Sequence, residues 1–470
     1  MKRLKLLRVV IAVIMLTGIA ALFLGFGSVT RPGNPADVQL VPALLGGSLA
    51  MLAVWLVLSF LLGRVYCSFI CPLGILQDVL IRLTRRLKRR PFAPRAAHPV
   101  VQGSMLSVFL LFTVLGFSAS LASLIDPYGV FGRFLALLVI PLRDAIVNFL
   151  ADRLGVEGAV VLFKREVFLA GAGVLGVVVS SLLALTALVA WRGRVFCTTI
   201  CPVGTFLGWL ARVSPFGLAV DTSACVKCGR CTGVCKTGCL DGKAGTLDNE
   251  RCVRCFNCIS ACPKDAIKWK EAWKGEVDGG RRKTLVNLAS LGAVYGLGSV
   301  LFHRPSGYTK RDLPPPGARM GELKLKCTAC GLCMARCPKK IIVPAGFGDY
   351  GGMGFMMPKL DFSRGFCDPG CTACGEACPS GAISALSPVE KGAWRIGVAK
   401  WDEKKCIVCS EKVPCGLCAR RCPYQAITLD QEKCPVVDAA KCVGCGACEH
   451  YCPVGAMSVS SESSICILEN

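Results

Sequence analysis

The chain has 470 residues, 32 cysteines, a mean hydropathy of +0.53 and a formal net charge of +24. Most cysteines fall in CxxCxxCxxxC runs, ligand frames for metal clusters, which excludes a secreted disulfide miniprotein. Lys and Arg gather beside apolar runs, where they set topology and meet anionic lipid, so a nucleic-acid partner is discounted; the three histidines lie outside the apolar runs and in no CxxCH, which discounts haem.

Residues 1–213 read as a four-span membrane domain. Lys2, Arg3, Lys5 and Arg8 precede an apolar run from Val9 to Phe26 that is long for a signal core and shows no cleavage site, so it reads as an uncleaved first helix. Val41 to Leu62 predicts the second span. The basic residues Arg82, Arg85, Arg86, Lys88, Arg89 and Arg90 then place the N-terminus and the first CxxxCP in the cytoplasm. Met105 to Ile125 predicts a third span and Val167 to Trp191 a fourth. Between them, Phe131 to Leu154 is interrupted by Pro141, Arg143 and Asp144 and predicts an interfacial or re-entrant helix. Asp126 reads as a turn residue closing the third helix, with a quinol proton acceptor as its functional alternative.

The second and fourth spans each end in the same motif. GRVYCSFICPLG, Gly63 to Gly74, recurs as GRVFCTTICPVG, Gly193 to Gly204, with Cys67 and Cys71 matching Cys197 and Cys201. Two such hairpins predict a parallel internal repeat in which the four thiols converge. If each pair is helical, the i and i+4 positions share a face, and Arg64 and Arg194 would lower the thiol pKa. Soft thiolates there suit iron-sulfur, iron, copper or zinc, so these four cysteines are the candidate catalytic residues, with a possible additional metal.

Residues 214–275 predict a cytoplasmic dicluster ferredoxin. In the CxxCxxCxxxC frame the first three cysteines hold one cluster and the fourth serves its neighbour, which gives Cys225, Cys228, Cys231 and Cys262 one [4Fe-4S], and Cys252, Cys255, Cys258 and Cys235 another. Lys236 stands where a proline usually follows the fourth cysteine, and Cys239 is close by. Residues 281–303, introduced by Arg281, Arg282 and Lys283, predict a fifth span or a twin-arginine-like segment, which would put the remainder outside the cytoplasm.

Asp312 to Pro316, DLPPP, reads as a stiff connector to two further modules, residues 320–385 and 400–460. The swapping rule assigns Cys327, Cys330, Cys333 and Cys378 to one cluster, and Cys367, Cys371, Cys374 and Cys337 to a second, with Ile341 to Phe366 as an insert. In the last module Cys442, Cys445, Cys448 and Cys422 form one set. Cys415, Cys418 and Cys452 need a fourth ligand, Cys406 or Cys409, of which Cys406 is chosen. Six clusters then leave Cys239, Cys409, Cys434 and Cys466 as spare thiols.

The expected fold is thus an α-helical membrane domain with an internal two-hairpin repeat, joined to α+β bacterial-type dicluster ferredoxin modules. On these motifs, residues 1 to about 270 resemble the NapH/MauN membrane ferredoxins. Residues 281–470, with the segment GFMMPKLDFSRGFC from Gly354 to Cys367, resemble the NapG/MauM exported ferredoxins. The resemblance implies a natural fusion in the bacterial inner membrane: a quinol dehydrogenase passing electrons from the quinone pool to a periplasmic reductase or c-type cytochrome. NosR- and FixG-like relatives share the CxxxCP core, and imply the alternative of an electron donor for metal-centre maturation or regulation.

Overall fold

A computed structural model describes residues 2–26, 34–87, 92–96, 98–115, 122–154, 166–271, 312–352 and 354–461. The expected segment 281–303, and Cys466, lie outside them. The chain divides into two compact units, residues 1–21, 33–134 and 176–303, and residues 22–32, 135–175 and 304–470.

Among the described residues, three helices, Arg3–Leu24, Pro127–Arg153 and Ala172–Arg192, are long and apolar enough to cross a membrane. The first and third agree with expectation. In the middle one the interruption expected within Phe131 to Leu154 is absent: Pro127–Phe134, a π-turn over Leu135–Val139 and Ile140–Leu154 run on without a break. Pro141 has no N–H and its ring crowds the carbonyl four residues earlier, at Leu137; the wider π-turn relieves that conflict and the helix continues. Asp126 also differs from expectation, since it opens this helix rather than closing the one before. Its carboxylate accepts from the backbone N–H of Gly129 at 2.6 Å and of Tyr128 at 3.4 Å, satisfying donors that a helix start leaves free.

The expected second span is broken. Leu40–Leu45 ends at Gly46 and Leu49–Leu62 starts afresh, because Gly47 takes φ +71°, a conformation that suits glycine. Pro99–Val114 forms where the third span was expected, beginning six residues earlier at Pro99. These two apolar helices are shorter than the other three.

In the first unit, Phe216–Val220 pairs antiparallel with Ile267–Glu271 and closes a ferredoxin module round two short helices, Arg230–Gly233 and Asn257–Ala261. Leu218, Leu240, Phe256, Ile259 and Ile267 fill its core. In the second unit, Val398–Trp401 pairs with Met457–Ser460 in the same way, and Ile427–Leu429 with Pro435–Val437. The insert Ile341 to Phe366 contributes a further antiparallel pair, Ile342–Pro344 with Pro358–Leu360. DLPPP is part of this module instead of a free connector. Asp312 is buried and accepts from the Tyr350 N–H at 2.7 Å, and the Leu313 carbonyl accepts from Leu360 at 2.8 Å.

Candidate iron-sulfur and thiol sites

The CxxC-rich loops owe their shape to backbone conformation. Lys227 and Gly229, Arg254 and Phe256, Ala329 and Gly331, and Gly444 and Gly446 all take positive φ. Each pair flanks the second cysteine of its run. Residues in this region turn successive N–H groups towards one concave face, where they suit an anionic centre, and non-glycine residues accept the strain only where the surroundings demand it.

These loops bring the expected cysteines together. Cys225, Cys228, Cys231 and Cys262 line one cavity with Gly242 and Ile267. Cys337, Cys367, Cys371 and Cys374 line a second, and Cys406, Cys415, Cys418 and Cys452 a third. The remaining sets are gathered as closely as thiols that repel one another's charge. Burial, then Cys330, Cys327 and Cys378, push Cys333 up; burial, then Cys445, Cys442 and Cys422, do the same to Cys448. Cys258 is raised by burial and by Cys255, Cys252 and Cys235. Cys239, read as spare, is drawn into that last set: its Sγ lies 3.6 Å from Cys235 Sγ and accepts from Thr237 Oγ1 at 3.1 Å.

The donor set fits iron-sulfur clusters. Backbone N–H groups point at the sulfurs: Ala266 to Cys262 at 3.3 Å, Ala426 to Cys422 at 3.3 Å, Ala456 to Cys452 at 3.2 Å and Ile383 to Cys378 at 3.4 Å. Such bonds stabilise negative sulfur and tune cluster potential. Among the described residues no three His, Cys, Asp or Glu side chains are grouped so as to hold a single metal ion.

In the second unit the sites follow one another. Gly331, between Cys330 and Cys333, packs so closely on Ala136 of the apolar helix that a Cβ there would lie 2.8 Å from the Ala136 Cβ. The Cys367 N–H donates to the Cys445 carbonyl at 2.8 Å, joining the two modules. Cys406, Cys415, Cys418 and Cys452 are all half-buried, the most open of the four sets.

The CxxxCP cysteines are buried, and the cause of their convergence differs from expectation. The chain breaks between the members of each pair. Cys67 sits in the short helix Tyr66–Phe69 and Cys197 in a π-turn, Phe196–Ile200. Cys71 and Cys201 precede the helices Pro72–Leu87 and Pro202–Arg212, with proline at the first helical position. Cys201 Sγ caps its helix by accepting from the Gly204 N–H at 3.3 Å, and Gln77 Nε2 donates to Cys197 Sγ at 3.1 Å. The expected lowering of thiol pKa is overturned. Burial pushes Cys71, Cys197 and Cys201 up, Cys197 to about 11, although Arg194 and Arg64 pull it down.

Both arginines are largely engaged elsewhere, although Arg64 Nη2 also donates to Cys67 Sγ at 4.0 Å and Arg194 also pairs with Asp78. Arg64 donates to the carbonyls of Cys197 and Glu250, and Arg194 to those of Cys67 and Gly74. Sequence reading missed Asp78, whose buried carboxylate is shared by Arg8, by Arg194 at 2.7 Å and by Lys236 at 2.9 Å. The unusual lysine after Cys235 therefore ties the first ferredoxin module to the CxxxCP core, and the Lys236 carbonyl accepts from the Arg194 N–H at 2.9 Å. A lysine displacing the expected proline was the one signal in the sequence.

These folds and cysteine groups define the class as a polyferredoxin carrying membrane-length helices. One family model, a 4Fe-4S binding domain, matches twice, at residues 44–91 and 172–219; two further 4Fe-4S binding domains match at 252–266 and 435–458. The methylamine utilization ferredoxin-type protein MauM of Methylophilus methylotrophus is 32% identical over 157 residues, which is 31% of this chain and 68% of that protein. MauM of Paracoccus denitrificans is 30% identical over 180 residues, 35% of this chain and 79% of its own. MauN of Methylorubrum extorquens is 29% identical over 235 residues, 48% and 64% respectively. The chain belongs to the family of MauM- and MauN-type polyferredoxins.

Proposed function

We propose that this chain is an inner-membrane electron-transfer protein that oxidises quinol beside the CxxxCP core and delivers the electrons to a periplasmic oxidoreductase. The reading is carried by one observation: the group Cys252, Cys255, Cys258 and Cys235 is fastened to that core, through Lys236 on Asp78 and the Arg194 N–H on the Lys236 carbonyl. [4Fe-4S] clusters, when bound by the six cysteine sets, supply one-electron storage and transfer. Oxidation of a quinol releases two electrons and two protons, so it needs neighbouring one-electron acceptors. The chain's own part is to hold the sets at fixed separation, through Lys236 in the first unit and through the Cys367 to Cys445 bond in the second.

The buried Cys67, Cys71, Cys197 and Cys201 are the groups assigned to the quinol end, as redox-active thiols. Residues 304–470 are assigned to the periplasmic side, where the half-buried Cys406 set offers an exit. The test is anaerobic addition of menaquinol to the iron-loaded chain in lipid nanodiscs, followed by electron paramagnetic resonance. Reduced-cluster signals are expected; fully loaded protein that stays oxidised at every menaquinol to menaquinone ratio contradicts the proposal.

A further inference from the structure

The last module contains two cysteines that no cluster set uses, and the structure does not leave them spare. Cys409 lies in the short helix Ile407–Glu411 and Cys434 immediately precedes the strand Pro435–Val437, and a disulfide joins them. Their Cα atoms are 5.7 Å apart, within the usual span of such a bond. Cys434 is further held by its neighbours: its N–H donates to Asp430 Oδ1 at 2.8 Å and its carbonyl accepts from the Asp430 N–H at 3.0 Å. Lys412 and Glu432 pair across the same two segments at 3.2 Å.

The position of this bond gives it a purpose. Ile407 and Val408, beside Cys409, and Lys433 and Pro435, either side of Cys434, line the cavity of Cys406, Cys415, Cys418 and Cys452. Cys409 itself does not line it. The bond thus ties two walls of the most open cysteine set of the second unit, whose wall segments are otherwise joined by short strands and surface pairs.

We propose that Cys409 and Cys434 form a structural disulfide that braces the Cys406 site, and that residues 400–461 mature in an oxidising compartment. The two thiols lose two protons and two electrons to the disulfide of a dithiol–disulfide oxidoreductase, which leaves as a dithiol after a mixed-disulfide exchange. Such bonds persist outside the cytoplasm and are rare within it. The compartment half of the inference rests on the reading that residues 304–470 face the periplasm.

The experiment uses the full chain, purified from membranes. Protein is denatured in acid and blocked with N-ethylmaleimide, then reduced and labelled with deuterated N-ethylmaleimide, and its peptides are mapped by mass spectrometry. Cys409 and Cys434 are expected to carry the heavy label, and the cysteines of the cluster sets the light one. Light label on both overturns the bond. In a second arm, the Cys434→Ser variant, which breaks the bond and keeps Cys409, is expected to assemble its full iron content but to lose iron faster than the parent on warming, and equal rates overturn the brace; a Cys409→Ser variant that assembles about one cluster fewer, ~4 irons, while Cys434→Ser does not, would make Cys409 a ligand and overturn the assignment. In a third arm, expression in a host lacking its periplasmic dithiol oxidase is expected to give light label on both, and an unchanged heavy label overturns the compartment. None of these readouts uses quinol. A disulfide found in protein that quinol cannot reduce would therefore sink the electron-transfer reading and leave this inference standing.

Discussion

Arg64 donates from Nη2 to the carbonyl oxygen of Cys197 at 2.6 Å. The relation is reciprocal, since Arg194 donates from Nη1 to the carbonyl of Cys67 at 3.0 Å. Each motif is therefore braced by the arginine of the other. Arg194 also serves Gly74 and Asp78, so its planar fork has three acceptors that a lysine ammonium cannot match in place. Both Arg64→Lys and Arg194→Lys are expected to lower the thermal unfolding midpoint in detergent, Arg194→Lys by more. Equal midpoints for both variants and the parent chain would remove the brace from the account.

Asp78 is the counter-charge for three cations. Burial works against its charge, but Arg194, then Lys236 and Arg8, outweigh it and hold the carboxyl well below the usual carboxylate range. Asp78→Asn leaves those cations buried and unbalanced, a loss of about 3–5 kcal/mol for a broken buried pair. Because the folded pKa is depressed, the carboxylate's contribution is fully present above its unfolded value of about 3.9. It fades only as pH falls towards the depressed folded value. The stability difference between parent and variant should hold flat from pH 8 to about 5; a difference already shrinking near neutrality would contradict the assignment.

Close approach at the two CxxxCP turns gives a steric test. A Cβ on Gly74 would lie 2.3 Å from the Cys67 carbonyl oxygen, and one on Gly204 2.1 Å from that of Cys197. Backbone must move to admit either, so Gly74→Ala and Gly204→Ala should each cost at least the ~1–3 kcal/mol typical of an overpacked core. Gly103, with open space at its Cβ, is the control. The yield of folded protein in the membrane fraction should fall for the first two and not for Gly103→Ala.

The crowding of Cys239 against Cys235 is resolved by iron content. Cys235→Ser is expected to lose about one cluster, ~4 irons per chain, and Cys239→Ser to lose none. The reverse pattern would make Cys239 the ligand.

The cysteine groupings were legible because ligand spacing is local and repeated: Cys225 to Cys231 and Cys252 to Cys258 can be matched by eye, and the structure gathers the same residues. The helix over Pro127–Arg153 was not, because Pro141 signals a break and only the π-turn before it shows how the break is avoided. Asp78 was also hidden. Its sequence neighbours are apolar or polar residues of one amphipathic helix, while Arg8, Arg194 and Lys236 arrive from distant parts of the chain. The thiol pKa values went the other way for a similar reason, since adjacency of Arg194 to Cys197 says nothing about burial or about which carbonyls the guanidinium serves.

The central claim is that quinol reaches the clusters by way of the CxxxCP thiols. Its most direct test is rapid anaerobic mixing of menaquinol with nanodisc-embedded chain, comparing the parent with a Cys67→Ser, Cys71→Ser variant of equal iron content and following bleaching of the cluster absorbance. The account predicts bleaching in the parent and none in the variant, while dithionite bleaches both. Menaquinol bleaching that is unchanged in the variant would contradict it.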